Sequence, residues 1–106
     1  MGPSAKYKVR TKVWLYPGMG GWHFANLSPR SSAKIKVRFG GAARGFGSLP
    51  VSVKIGRTEW KTSIFPDSKS RTYLLAIKTE VRKKERIAAG DTITAFVQIR
   101  ARPMIG

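Results

Sequence analysis

Residues 6–13, Lys-Tyr-Lys-Val-Arg-Thr-Lys-Val, alternate strictly between polar and apolar positions. A period of two marks a half-buried strand, here with Tyr7, Val9 and Val13 inward and Lys6, Lys8, Arg10 and Lys12 outward. Tyr16-Pro17-Gly18-Met19-Gly20-Gly21 is a turn by composition. A short second strand follows, with Trp22, Phe24 and Asn26 on one face. Residues 49–55 place Leu49, Val51, Val53 and Ile55 on one face, Gly56-Arg57 is a tight turn, and residues 58–65 return as the partner. Pro66-Asp67-Ser68-Lys69-Ser70 has turn chemistry. Residues 73–77 are apolar on both faces and read as a central strand. Residues 91–100 form the last strand, with Ile93, Ala95, Val97 and Ile99 on one face.

Two stretches carry helix signals. Thr79 is a candidate N-cap and Glu80 suits the positive end of a helix dipole. Val81, Lys84, Ile87 and Ala88 fall at helical spacing, and Gly90 is the expected closing residue. Ser28-Pro29 also reads as a cap followed by proline at the first helical position. Lys34 to Phe39, however, alternates with period two, and in a helix Val37 would point away from the face shared by Ile35 and Phe39. Helix and strand both stay open for residues 28–39 on this local pattern.

The 106 residues are 42% hydrophobic and 10% aromatic, a composition that folds as one domain over residues 1–106. Short flexible ends are expected near 1–5 and 103–106. The chain has no cysteine, which excludes disulfides, Cys-ligated zinc, iron–sulfur clusters and thiol catalysis. No apolar run approaches the ~20 residues that span a bilayer, and no secretory signal is visible before the first strand. The expectation is a cytoplasmic protein without a membrane partner.

Charge sharpens the picture. The formal net charge is +16, and the five acids (Glu59, Asp67, Glu80, Glu85 and Asp91) leave residues 1–58 with none. Such a field attracts polyanions, DNA or RNA first and acidic membrane surfaces or acidic proteins second. The outward row Lys6, Lys8, Arg10 and Lys12 extends over about 20 Å at strand spacing and suits a phosphate backbone, although lysines also protect a strand edge. Arg82, Lys83, Lys84 and Arg86 form a second basic set on the helical segment. Tyr16, beside a turn, and Phe46, in the glycine-rich run 40–47, are candidates for base stacking. Trp14, Trp22, Trp60, Phe24 and Tyr73 are assigned to the core that so small a domain needs.

An alternative site for a small anion groups Arg44 of the glycine-rich run with Lys69 and Arg71. That run is not a nucleotide cradle, because Phe46-Gly47 stands where Lys and Ser or Thr are required. Other chemistry has little to work with. His23 is the lone histidine, Glu59 and Asp67 have structural uses as cross-strand partner and turn former, and no cofactor or metal motif is visible. A non-enzymatic protein is expected. A protein-interaction or self-assembly module, and a purely solubilising basic surface, are the other readings.

Gly47-Ser48-Leu49-Pro50-Val51-Ser52-Val53, the run from Thr58 to Asp67, and Tyr73-Leu74-Leu75 carry a resemblance to a known family. Trp22-His23-Phe24, Val81-Arg82-Lys83 and Gly90-Asp91-Thr92-Ile93 extend it over most of the chain. The chain resembles a family of small prokaryotic domains catalogued as a domain of unknown function, some of them fused to a domain associated with bacteriocin protection. The resemblance implies a double-split β-barrel capped by helices, the fold of the AbrB and MazE DNA-binding proteins, and favours helix for residues 28–39. The expected architecture is mainly β: about six strands and two helices in the order β-β-α-β-β-β-α-β. The family supplies no established activity. Charge and pattern therefore give the functional expectation, a nucleic-acid or polyanion binder with little sequence specificity.

Overall fold

The computed structural model describes residues 5–18 and 20–102. The expected flexible ends therefore fall, except at residue 5, outside the described residues, as does Met19 of the first turn. Six strands, β1 (Lys6–Leu15), β2 (His23–Asn26), β3 (Leu49–Ile55), β4 (Thr58–Asp67), β5 (Thr72–Ala76) and β6 (Thr92–Ile99), close into a barrel. Two helices, α1 (Pro29–Phe39) and α2 (Thr79–Glu85), interrupt them in the expected order. The barrel order is β1-β2-β5-β4-β3-β6, with every neighbouring pair antiparallel.

Alternation builds the core. Val9 and Val13 of β1, Leu49, Val51, Val53 and Ile55 of β3, and Ile93, Ala95, Val97 and Ile99 of β6 all point inward and are buried. Each buried Val, Leu or Ile contributes about 1.5–3 kcal/mol of transfer free energy, and Ala95 less. β5 adds Tyr73 and Leu75, and β4 adds Ile64.

The helices plug opposite ends. α1 caps the end where β1, β3 and β5 begin. Ser28 is its N-cap, accepting a hydrogen bond from the Ser31 amide at 3.1 Å, and Pro29 is the first helical residue. Ile35 and Phe39 are fully buried while Val37 is 70% exposed, so the period-two run folds as a helix with one apolar residue left outside. Ser32 Oγ accepts the Tyr73 amide hydrogen at 3.0 Å, joining α1 to β5. A single turn of 3-10 helix, Gly40–Ala42, and a left-handed turn at Phe46-Gly47 then lead into β3.

α2 covers the other end, burying its own Val81. It differs from expectation at both termini. Lys78, not Thr79, is the N-cap, and the helix stops at Glu85 with Arg86 left-handed at φ 55°, well before Gly90. The cause is tertiary. The Glu85 carboxylate accepts from Thr58 Oγ1 at 2.6 Å and from the Arg57 amide at 3.3 Å, fastening the last turn to the β3–β4 hairpin. Residues 87–91 then form a separate turn, in which the Ala88 amide donates to Asp91 and the Gly90 amide to the Val13 carbonyl.

β4 also runs two residues beyond its expected end, through Pro66. Tyr73, opposite Pro66, sends its amide to Ser32 and receives the Leu27 amide at its carbonyl. Pro66 thus occupies a pair that exchanges no hydrogen bonds, and β3 pairs only as far as Ile64. The missing N–H costs the sheet nothing there.

Candidate functional site

The outer surface of β1 carries a regular row of charge. Lys6, Lys8, Arg10 and Lys12 are all exposed on one face, as their phase requires. Along residues 6–12 the strand pairs with β6, and along residues 13–15 with β2, so β2 covers only its last turn-proximal positions. Lys8 Nζ lies 6.0 Å from the centre of the exposed Phe96 ring on β6, a cation–π distance.

The register extends this face in a direction that the charge pattern alone does not give. Lys6 stands opposite Gln98, Gln98 opposite Ser52, and Ser52 opposite Lys61. The adjacent row is Lys8, Phe96, Lys54 and Glu59. Lys54, whose row also holds Glu59, extends the basic face onto β3; Lys61 is exposed on β4, which β6 and β3 separate from β1. The signal for Lys54 in the sequence is its outward phase, opposite to Val53 and Ile55.

A second feature continues β1 towards its far end. Trp14 and Tyr16 share the phase of the cations, so they lie outside the barrel and not in its core. On β2 the inward residue is Ala25, with Leu27 buried just beyond it, which turns Trp22, Phe24 and Asn26 outward beside them. The rings form one cluster. Trp14 and Phe24 are 5.3 Å apart between centroids, Tyr16 meets Phe24 edge-on at 6.0 Å, and Trp22 stacks on Phe24 at 5.9 Å with 12° between planes. Trp22 is 56% exposed and Tyr16 49%. The assignment of Trp14, Trp22 and Phe24 to the core is thus corrected, whereas Tyr73 is buried and Trp60 packs against the core as expected.

Local contacts hold the cluster. The Trp14 indole N–H donates to Asn26 Oδ1 at 2.6 Å, and the Asn26 amide donates in turn to Thr72 Oγ1 at 2.9 Å. Gly20, at φ +88°, admits the Trp22 indole: a Cβ there would lie 2.9 Å from its Cδ1. His23 Nδ1 donates to the Gly21 carbonyl at 2.7 Å, a structural use of the lone histidine.

The other candidate residues are dispersed. Lys83, Lys84 and Arg86 are exposed at the α2 end. Lys84 shares a shallow groove with Thr58, Glu59 and Trp60 of β4, which β6 and β3 separate from β1. Arg82 is committed elsewhere, its Nε donating to the Ile77 carbonyl at 3.1 Å and a terminal nitrogen to Thr79 Oγ1 at 2.9 Å. It braces the β5–α2 junction, and Thr79 serves it instead of capping the helix.

Of the proposed anion trio, Arg71 lines an open groove of about 660 Å³ between α1 and the β4–β5 turn, together with Lys36, Asp67 and Ser68. Arg44 and Lys69 are exposed but do not line it. Asp67 is occupied within the turn. The Ser70 hydroxyl and amide donate to its Oδ2 at 2.7 and 3.1 Å and hold its carboxyl below the usual carboxylate range. Phe46 stands in the left-handed region at φ 60° and is 95% exposed. It lies on the connection into β3, and is not part of the β1–β2 cluster.

Among the described residues no helix is long and apolar enough to cross a membrane. The family described as a domain of unknown function, DUF1905, matches residues 10–97, so the chain belongs to it. No curated protein matches the chain. The family match spans all six strands and both helices, beginning within β1 and ending within β6.

Proposed function

We propose that this member of the DUF1905 family is a non-enzymatic binder of nucleic acid or a similar polyanion, acting through the outer face of β1. The single observation that carries this reading is the in-phase row Lys6, Lys8, Arg10 and Lys12, extended to Lys54 through the barrel register. Cations fixed on strands present a repeating charge that a phosphate backbone can follow without a base-reading element. Binding is then largely sequence-tolerant and driven by counterion release. The family resemblance implies the double-split barrel of the AbrB and MazE DNA-binding proteins, a likeness of fold that by itself carries no function.

The test is fluorescence anisotropy with labelled single strands and duplexes between ~50 and 200 mM salt. Four phosphate contacts predict a log–log slope of about −3 for a single strand and somewhat steeper for a duplex. Absence of binding to every polyanion at ~50 mM salt overturns the reading.

A second reading, docking of a protein partner, has Phe46 as its specific support. A fully presented phenylalanine held at a positive φ has no role in the fold of its own chain. A stoichiometric complex with an acidic protein, lost in Phe46→Ala and undisturbed by competing nucleic acid, would favour it over the first.

A further inference from the structure

We infer that the polyanion is a single-stranded nucleic acid, whose bases stack on Trp22 and Tyr16 while its phosphates follow the β1 cations. The inference rests on the polyanion reading and adds the chemistry that selects among polyanions. Two independent features meet on one surface. The first is the row of cations ending at Lys12; the second is the aromatic cluster that begins two residues later, on the same face, at Trp14.

The cluster is built as a platform and not as leftover core. All four rings lie outside the barrel, and its interior is filled without them. Trp14 is tethered through its indole nitrogen to Asn26, Phe24 backs Trp22 in a near-parallel stack, and Gly20 leaves room for the indole edge. The rings are therefore pre-positioned, which reduces the ordering cost on binding. Even so, about half of Trp22 and of Tyr16 stays in water.

The ligand that fits such a face has planar apolar groups joined by a negatively charged backbone. A single strand offers both, because its unpaired bases can be splayed onto aromatic rings. A duplex keeps its base faces inside its own stack and would engage the cations alone. An acidic peptide supplies charge but no regular planar faces. Stacking is tolerant of base identity, in keeping with a site that has no base-edge reader.

The experiment uses the full chain with three probes of matched charge: an oligothymidylate of about ten nucleotides, a duplex, and inorganic polyphosphate. Expected results are quenched tryptophan fluorescence with the oligothymidylate and a preference for it over the other two. Trp22→Ala with Tyr16→Ala should weaken its binding about a hundredfold, since each of the two lost stacks is worth about a tenfold change. The same variant should bind polyphosphate unchanged, and Trp22→Tyr should recover most of the loss. Both substituted residues are exposed, and an unchanged melting temperature verifies the fold. Equal affinity for all three probes, unaffected by the aromatic substitutions, overturns the stacking inference and leaves the polyanion reading intact. Failure to bind any of them overturns both.

Discussion

The carboxylate of Glu85 fills the space in which a side chain at Gly56 would begin. A Cβ at Gly56 would overlap Glu85 Oε1, and Gly56 itself has φ +59°. The hairpin glycine and the last residue of α2 therefore form one joint, closed by the hydrogen bonds from Thr58 and Arg57. Glu85→Ala should destabilise the domain by about 1–3 kcal/mol, because Thr58 Oγ1 loses its partner in a half-buried place. Gly56→Ala should cost at least as much, from left-handed strain and from displacement of the carboxylate. The double variant should fall short of the sum by about 1 kcal/mol, as only the strain then remains. Urea unfolding of the four proteins checks the cycle, and strict additivity would refute the joint.

Salt dependence separates the basic residues by role. Lys8→Ala with Arg10→Ala should reduce the magnitude of the salt slope for a single strand by about 1.4. Arg82→Ala should leave the slope unchanged but lower the melting temperature, because its guanidinium is spent on Ile77 and Thr79. Anisotropy and thermal melts measured on the same two variants decide it.

The apolar residues of α1 should divide sharply. Phe39→Ala removes a fully buried ring and should cost about 3–5 kcal/mol. Val37→Lys, on the opposite side of the same helix, should change stability by no more than about 0.5 kcal/mol. A strand in this place would bury Val37 in phase with Ile35 and Phe39, so chemical denaturation of these two variants is also a test of the helix.

Asp67 links the β4–β5 turn to pH. Its carboxyl titrates below the ordinary value because the Ser70 hydroxyl, and then the Ser70 amide, donate to the charged form. The folded value is depressed, so its stabilisation is present above the unfolded carboxylate pKa and is lost as pH falls through the folded one. Ser70→Ala should move the Asp67 titration upward towards the ordinary range, read by NMR of the side-chain carboxyl. An unchanged titration would contradict the assigned cause.

Much of the barrel could be read from alternation, because strand phase and burial are the same fact wherever one face meets a core. The inward sets of β1, β3 and β6 follow from it directly. The helix at 29–39 was legible in its cap but not in its body, where Val37 imitates a strand. What escaped were features set by distant residues. α2 stops early because Glu85 reaches Thr58, and Pro66 stays in β4 because Ser32 takes the amide opposite it. The aromatic platform is a different case. Trp14 and Tyr16 are in phase with Lys6 to Lys12, so their outward direction was written in the same alternation; the expectation that aromatics fill a small core displaced it.

β2 is joined by three residue pairs on each side, to β1 and to β5, whereas β1 and β6 share seven. Few amides lock that side of the barrel, and two members of the aromatic cluster, Phe24 and Asn26-tethered Trp14, sit on it. Hydrogen exchange in the free protein should be fastest, among the strands, across residues 23–26. A ligand lying on the rings would clamp β1 to β2 from outside. Occupancy should thus be recorded as slowed exchange in a strand that contributes little to the charge of the surface, with the closing of the barrel and the filling of the site becoming one event.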